Sequence, residues 1–257
     1  MDLKLNNRQF LVTGATRGFG GAVTRLLIKE GAEVIAVARR NDLLQELVEE
    51  YGSKIHPVKG DITEEETINK VLSKIDAAKF DGAVINSAGP PAKQVMETTL
   101  EDWDETYRNL VRWKIALTQK LIPIMQKAAY GKLVFIESIS TKQPVENLVL
   151  SNAMRLSVVG FVKTLSQELA GSGITMNILA PGYHDTGALQ RIFDKKASQL
   201  NITADEARKK MIDQTKMGLG DPKDMATLAL WLLSPWSKYV TGQTFSHDGA
   251  EMKGVFG

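Results

Sequence analysis

The sequence predicts an α/β protein built around a parallel β-sheet, and three of its features support this class. Short apolar runs of strand length alternate with longer amphipathic segments through most of the 257 residues, as is typical of βαβ units. A glycine-rich turn follows the first apolar run, and polar loops follow two later ones. No linker, internal repeat or low-complexity tract interrupts the pattern, so we expect a single domain over residues 1–257.

The elements follow one another as strand–helix units. The predicted pairs are residues 10–12 with 22–29, 34–38 with 43–50, and 83–85 with 103–127. Another strand ends at Gly60, a further apolar strand covers 133–136, a helix covers about 150–170, and a seventh strand lies near 243–246. Because parallel strands carry their functional loops at their carboxyl ends, we expect the binding site among those loops.

Composition excludes several classes of function. The net charge is +2 and the lysines are dispersed, so the concentrated positive field of a nucleic-acid or membrane-surface binder is absent. The sequence has no cysteine, and its three histidines show no metal-ligand spacing. The longest apolar run, 228–233, is too short to cross a bilayer, and no signal-peptide core is present. We therefore expect a cytoplasmic protein with a small-molecule partner and no metal.

The glycine-rich turn has the pattern of a dinucleotide-binding loop. It reads Thr13-Gly14-Ala15-Thr16-Arg17-Gly18-Phe19-Gly20, directly after a strand and opening a helix. Such glycines allow a tight turn and a close approach of the backbone to a pyrophosphate, which then faces the helix N-terminus. The alternative is a glycine-rich turn with only a packing role.

Arginines at the second strand indicate which dinucleotide binds. At the place where an acidic residue would select a free ribose 2′-hydroxyl, the sequence has Ala38 followed by Arg39, with Arg17 able to approach from the glycine loop. Guanidinium groups suit a 2′-phosphate, so NADP(H) is favoured over NAD(H). Alternatively, Arg39 and Arg40 form a solvated turn.

The loops after the third and fourth strands complete the predicted nucleotide side. Gly60-Asp61-Ile62-Thr63 ends one strand and Asn86-Ser87-Ala88-Gly89 ends the next. Taken alone, Asp61 is equally well explained as a helix cap and Asn86 as a turn residue. Beside the glycine loop, they are better explained as adenine and ribose contacts.

These motifs resemble the short-chain dehydrogenase/reductase family over nearly the whole chain. The matching residues, in the order of the family, are Thr13-Gly14-x-x-x-Gly18-x-Gly20, Asp61, Asn86-x-Ala88-Gly89, Ser138, Pro181-Gly182 and Tyr239-x-Thr241-Gly242-Gln243. The branch labelled 3-oxoacyl-acyl carrier protein reductase-like is the most similar. The resemblance implies a Rossmann-type, doubly wound, seven-stranded sheet with helices on both faces. It also implies a homodimer or homotetramer formed through helices 100–127 and 150–170.

Combined with these loops, the resemblance predicts one cofactor site. Its residues are Gly14, Thr16, Arg17, Gly18, Phe19, Gly20, Arg39, Asp61, Ile62, Asn86, Ala88, Gly89, Arg155, Pro181, Gly182 and Thr186.

The catalytic positions of the family are altered in this chain. The resemblance implies an asparagine, a serine and a Tyr-x-x-x-Lys pair, of which only the serine, Ser138, is kept. Alignment of the following helix places Ser151 at the tyrosine and Arg155 at the lysine, while Leu110 falls at the asparagine, one residue after Asn109. An alkyl hydroxyl is a far weaker acid than a phenol, and arginine does not release a proton at neutral pH. The sequence thus lacks the usual proton relay.

Other groups can be considered as the proton donor. Tyr183 and His184 follow Pro181-Gly182 at the end of a strand. A phenol or a group that titrates near neutrality suits the task, although a loop tyrosine and histidine without a catalytic role explain the sequence as well. Lys142 is a further candidate or a solvated lysine. The predicted catalytic residues are Ser138, Ser151, Arg155 and Tyr183, with Ser138 polarising a carbonyl or, alternatively, satisfying loop backbone.

Residues 187–217 are predicted to form a helical substrate lid. Thr203-Ala-Asp-Glu206 has the pattern of a capping box that opens a helix through Met211. The apolar residues that could line a pocket are Ile192, Phe193, Leu200, Met211 and Met217. A stripe that only packs the helices down is the alternative.

Two functional hypotheses follow from the sequence. The first is an NADP(H)-dependent oxidoreductase that acts on a carbonyl or secondary alcohol with an atypical proton source. The second is a non-catalytic dinucleotide-binding protein, such as a redox sensor or a silent subunit, because three catalytic positions are replaced.

Overall fold

A single parallel sheet of seven strands carries the molecule. The computed structural model describes residues 1–255, apart from the side chains of residues 188 and 191; the last two residues of the predicted domain lie outside this part. The strands are β1 (Gln9–Thr13), β2 (Glu33–Ala38), β3 (Ile55–Lys59), β4 (Phe80–Asn86), β5 (Gly131–Ile136), β6 (Ile174–Pro181) and β7 (Thr244–His247). The strand order in the sheet is β3-β2-β1-β4-β5-β6-β7. The chain therefore adds strands outward from β1 on one side and from β4 on the other. This confirms the predicted doubly wound sheet and places a cleft at the β1/β4 switch point.

Helices cover both faces of the sheet. They are α1 (Gly18–Lys29), α2 (Asn41–Tyr51), α3 (Glu65–Leu72), α4 (Leu100–Tyr107), α5 (Trp113–Ala128), α6 (Val149–Glu168), α7 (Gln190–Leu200), α8 (Ala204–Gln214) and α9 (Pro222–Leu233). Alternate residues of each strand point to opposite faces. On β5, Val134 and Ile136 pack in the core beneath α1 and α9, whereas Leu133 and Phe135 pack against α5 and α6.

The predicted helix 100–127 contains an interruption. A π-helical segment, Arg108–Arg112, joins α4 to α5. The backbone carbonyl of Asn109 accepts a hydrogen bond from the indole Nε1 of Trp113 at 2.9 Å, and this bond helps to satisfy a carbonyl in a segment where the regular ladder is disturbed. Apolar spacing alone does not reveal such a bulge.

Other boundaries differ from the prediction by a few residues. Strand β5 begins at Gly131, two residues early, and β7 begins at Thr244, one residue late. Helix α8 runs to Gln214, beyond the predicted end. Its predicted capping box is confirmed, because Thr203 and Glu206 exchange side-chain to backbone hydrogen bonds of 2.8 and 3.2 Å. Within residues 1–255, the structure contains no helix of the length and hydrophobicity that a membrane span requires.

We predict that Leu117→Ala lowers the free energy of unfolding by about 2–5 kcal/mol, because it opens a cavity in the core. Leu117 lies on α5 and is fully buried between that helix and the sheet. Urea denaturation at one fixed protein concentration measures the loss. The matched control is Leu200→Ala on α7, where the leucine is 44% exposed and the change should stay within about 1 kcal/mol. Equal losses in the two variants would contradict this picture of the core.

Candidate functional site

A groove runs along the carboxyl edge of the sheet at the switch point. It consists of a smaller cavity of about 540 Å³ and part of a larger one of about 1490 Å³, which also extends along α1 as far as Lys29 and Tyr51. The two cavities are contiguous because six residues line both of them, namely Thr16, Arg17, Asn86, Ser87, Ala88 and Gly89. This volume is ample for an extended ligand with a second small molecule beside it.

The glycine loop forms the floor between the two cavities. Gly14 has φ +63, and a Cβ atom on Gly20 would lie 2.3 Å from the carbonyl oxygen of Gly14, so only glycine fits at both positions. Arg17 occupies the N-cap of α1, and no side chain in the described part of the chain caps this helix. The first N–H groups of α1 are therefore available to an anion.

Arginine side chains flank the smaller cavity. The Arg39 side chain is 75% exposed, and its Nη1 lies 4.0 Å from Asp61 Oδ2, which is too far for a hydrogen bond. Arg40 forms an ion pair with Asp42. Arg39 and Arg17 are thus the guanidinium groups that remain available on this side.

Asp61 and Asn86 lie at the groove and also stabilise their own loops. Asp61 Oδ1 accepts hydrogen bonds from the Thr63 N–H at 3.0 Å and from its hydroxyl at 2.8 Å. Thr13 Oγ1 accepts from the Asn86 N–H and donates to the Asn86 carbonyl, both at 2.8 Å. The turn roles considered from sequence are therefore present, and both side chains still line the groove.

Ser87 supplies a free hydroxyl between the cavities. Its Oγ is buried, and it has no hydrogen-bond partner among the residues that the structure describes. Since buried polar groups are normally satisfied, this hydroxyl is a candidate contact for a ligand in the groove.

The predicted cofactor residues are brought together by the fold. All of them line one of the two cavities except Gly20, which is buried beneath the loop. The four predicted catalytic residues, Ser138, Ser151, Arg155 and Tyr183, all line the larger cavity.

A buried cluster of three charged side chains lies at the base of the larger cavity. Glu137, the residue after β5, binds Lys114 of α5 through Oε1 at 2.5 Å and Arg155 of α6 through Oε2 at 2.8 Å. Arg155 also donates through Nε to Ser151 Oγ at 3.1 Å. The side chains of Lys114 and Glu137 are 0% exposed and that of Arg155 is 5% exposed. One carboxylate thus neutralises only one of two buried cations.

Burial controls the ionisation of Lys114. Desolvation lowers the pKa of Lys114 to about 8, with repulsion from Arg155 acting in the same direction and Glu137 opposing it. The lysine is therefore charged at neutral pH and becomes neutral a little above it.

Ser138 directly follows Glu137 and is only partly buried. Its Oγ accepts a hydrogen bond from the Ser140 N–H at 3.1 Å. This bond uses an oxygen lone pair and leaves the hydroxyl hydrogen free to donate into the cavity. The loop role and the substrate role of Ser138 are therefore compatible.

Neither Tyr183 nor His184 is an easy proton donor. Burial raises the pKa of the Tyr183 phenol, and burial lowers the pKa of His184. His184 Nδ1 lies 3.2 Å from the Gly182 carbonyl and Nε2 lies 2.8 Å from His247 Nδ1. Because the carbonyl can only accept, Nδ1 carries the hydrogen, and neutral His184 accepts from His247. Its ring packs edge-on against Phe19, so His184 supports the loop and helix α1.

The other residues considered as proton donor or pocket lining mostly lie outside the two cavities. Lys142 is exposed and does not line either cavity. Of the apolar residues predicted for the lid, only Ile192 lines the larger cavity. Phe193 is buried but does not line the cavity, and Met217 is 77% exposed. The apolar faces of α7 and α8 pack largely against each other.

Sequence reasoning missed Lys114 and Glu137. A signal for each was available: Glu137 ends a fully apolar strand, and Lys114 shares a helical face with the apolar residues Leu117 and Leu121. A charged residue in an apolar strand or on an apolar helical face is expected to be buried, and it then needs a buried partner. In the described part of the chain, no three His, Asp or Glu side chains are placed to hold a metal ion.

Comparison with known proteins agrees with this geometry. A family model described as "Enoyl-(Acyl carrier protein) reductase" matches residues 14–250. The 3-oxoacyl-(acyl-carrier-protein) reductase of Aquifex aeolicus is 30% identical, covering 97% of this chain and 99% of the relative. Human dehydrogenase/reductase SDR family member 4 is 29% identical, covering 93% and 86%.

Solved structures share the fold. The L-sorbose reductase of Gluconobacter frateurii, complexed with NADPH and L-sorbose, has a TM-score of 0.90 at 24% identity over 99% of this chain and 100% of its own. An actinorhodin polyketide ketoreductase with NADPH has a TM-score of 0.88 at 26% identity over 94% and 96%. With a family model that covers most of its length and relatives aligned from end to end, the chain belongs to the short-chain dehydrogenase/reductase family of oxidoreductases.

Proposed function

We propose that this chain is an NADP(H)-dependent oxidoreductase that acts on a carbonyl or secondary alcohol through an atypical active site. The observation that carries the proposal is the continuous groove, which joins an arginine-flanked nucleotide cavity to a second cavity containing Ser138. Relatives and structural neighbours described as reductases, two of them with NADPH, support it.

The residues of the groove fit a dinucleotide phosphate. The glycine cradle and the uncapped start of α1 suit a pyrophosphate, Arg17 and Arg39 suit a 2′-phosphate, and the free Ser87 hydroxyl offers a further bond. NADPH, when bound, supplies the hydride for the carbonyl carbon. Preference for NADP(H) over NAD(H) rests on the exposed Arg39, which has only a distant carboxylate partner.

The chain's own residues would stabilise charge on the carbonyl oxygen. The Ser138 hydroxyl donates to that oxygen and polarises it. No phenol stands at position 151, and Arg155 keeps its proton. The proton therefore reaches the alkoxide from solvent in the wide cavity, or more slowly from Tyr183, because burial raises the pKa of that phenol. Loss of a positioned general acid costs about 10²–10⁴ in rate, so we expect slow turnover.

A non-catalytic dinucleotide-binding protein is the second candidate. The replaced positions Leu110, Ser151 and Arg155 favour it, because a sensor or silent subunit needs the nucleotide cavity and no proton relay.

We further propose one domain over residues 1–257, with 187–217 as a helical lid, in a cytoplasmic homodimer or homotetramer. Exposed apolar side chains on the two helices 100–127 and 150–170 support the assembly: Leu100 is 85% exposed and Leu156 is 53% exposed. Such apolar surface is expected where another subunit packs.

We predict that the purified protein oxidises NADPH when given a panel of β-keto esters, diketones and quinones, with loss of nicotinamide absorbance as the measurement. Ser138→Ala should reduce this turnover by roughly 10- to 1000-fold, since a donor to the oxyanion is lost. The variant should bind NADPH like the parent. Binding without turnover across the panel would instead support the non-catalytic candidate, and absence of binding to NADPH and NADH would contradict both.

We predict that Arg39→Asp weakens NADPH binding at least about tenfold more than NADH binding, because it replaces a charge-assisted phosphate bond with repulsion. Fluorescence titration of each nucleotide measures the ratio. Lys74→Asp, an equal charge change at an exposed residue remote from the groove, is the control and should leave the ratio unchanged. Equal weakening of the two nucleotides by Arg39→Asp would remove the assignment of NADP(H).

We predict that Leu156→Glu shifts the protein toward smaller species in light scattering, because it inserts a charge into an apolar contact on α6. Leu200→Glu, on an exposed leucine outside the two helices, should leave the mass unchanged. An unchanged mass for Leu156→Glu would place the subunit contact elsewhere.

A further inference from the structure

We propose that the Lys114–Glu137–Arg155 cluster is a carboxylate-binding site, so that the substrate of this chain is a short oxo acid held through its carboxylate by Arg155. The oxo group of that substrate rests on the proposed function above. The carboxylate-binding site is independent of that function, since it follows from the charges and contacts of the chain itself.

The cluster carries one more positive than negative charge. Two cations share one carboxylate, and none of the three side chains is more than 5% exposed. Glu137, directly after β5, and Arg155 from α6 are the charged groups that act on Lys114. An uncompensated charge in a desolvated place is unfavourable. A bound anion would provide the missing negative charge.

The cluster is open toward the larger cavity. Arg155 uses Nε for Ser151 and Nη1 for Glu137. Its Nη2 group has no hydrogen-bond partner among the described residues. Arg155 and Glu137 both line the larger cavity, whereas Lys114 does not. The positive charge is thus presented to a ligand through the free side of Arg155, with the Glu137 carboxylate and the short Ser151 side chain beside it.

A carboxylate is the anion that fits this cluster best. A carboxylate is planar and carries a single negative charge, which matches the fork of Arg155 and the single excess positive charge of the cluster. A phosphate dianion would exceed that charge. Ser138, the predicted carbonyl contact, is the next residue after Glu137 and lines the same cavity as Arg155, which favours a ligand whose carbonyl and carboxylate are separated by only a few bonds.

Lys114 acts in this scheme as a positioning residue. It holds one oxygen of Glu137 and so prevents that carboxylate from neutralising Arg155 completely. Without the charge on Lys114, the pair Glu137–Arg155 is neutral and attracts an anion weakly. Since the pKa of Lys114 is about 8, anion binding is strongest below that pH and is lost as the pH rises through it. The bound anion favours charged Lys114 and shifts the loss to somewhat higher pH.

The test uses propanoate, which cannot be reduced, and the purified chain without nucleotide. Calorimetric titration at constant ionic strength should show that propanoate binds at about pH 6.5 and at least about tenfold more weakly at about pH 9.5. Lys114→Met should lose at least about tenfold in affinity at the lower pH and lose the pH dependence as well. This variant keeps a neutral Glu137–Arg155 pair and should stay folded, as thermal unfolding will show.

Two further variants test the same site and control for the substitution itself. Arg155→Met leaves a neutral Lys114–Glu137 pair and should also abolish propanoate binding. Lys127→Met makes the same substitution as Lys114→Met at an exposed lysine of α5 and should bind propanoate like the parent. Equal binding by the parent and Lys114→Met, binding that does not change with pH, or absence of binding by the parent would each overturn the carboxylate site.

The link to the substrate is tested with NADPH and a matched pair, 3-oxobutanoate and its methyl ester. The account expects kcat/KM to be at least about tenfold higher for the acid, with the preference lost in Lys114→Met. If both compounds are reduced equally, the oxo-acid assignment is wrong and the proposed reductase function stands. If propanoate binds but neither 3-oxobutanoate, nor its methyl ester, nor any compound of the wider panel is reduced, the carboxylate site stands and the proposed reductase function is wrong.

Discussion

A single buried carboxylate, Glu137, connects the sheet to two helices by binding one cation from each. Lys114 comes from α5 and Arg155 from α6, and both are desolvated. Removal of one partner from a buried ion pair typically costs about 3–5 kcal/mol, because a charge is left uncompensated. In a cluster of three, loss of one cation leaves a neutral pair, whereas loss of Glu137 leaves two repelling cations. The geometry at the base of the larger cavity therefore depends chiefly on Glu137.

The two ends of the groove differ in how they are built. At the smaller cavity, binding groups come from backbone that only glycine allows and from arginines in loops. At the larger cavity, the groups come from the interior, where helices α5 and α6 meet the end of β5. The first kind of site suits a ligand with several phosphates. The second concentrates a single positive charge where water is largely excluded, which strengthens its effect on an anion or an oxyanion.

Sequence patterns predicted the nucleotide side better than the reactive side. Alternating apolar runs predicted a parallel sheet, and the family resemblance implied its seven strands. The spacing of Gly14, Gly18 and Gly20 located the turn, because such a turn depends on local backbone rules. The cluster depends on side chains that are 23 and 18 residues from Glu137 along the chain, which no local pattern joins. The π-helical segment before Trp113 was likewise not predicted, since apolar spacing does not distinguish it from a regular helix. The roles of Ser138, Ser151 and Tyr183 stay predictions.

The excess positive charge of the cluster is the central claim, and an NMR titration of the Lys114 side chain tests it most directly. With lysine Cε labelled and Lys114→Met used to assign the resonance, the account predicts a titration near pH 8, far below the roughly 10.4 of an unperturbed lysine. Saturation with propanoate should raise that value. A Lys114 resonance that titrates together with the exposed lysines, and does not respond to propanoate, would contradict the account.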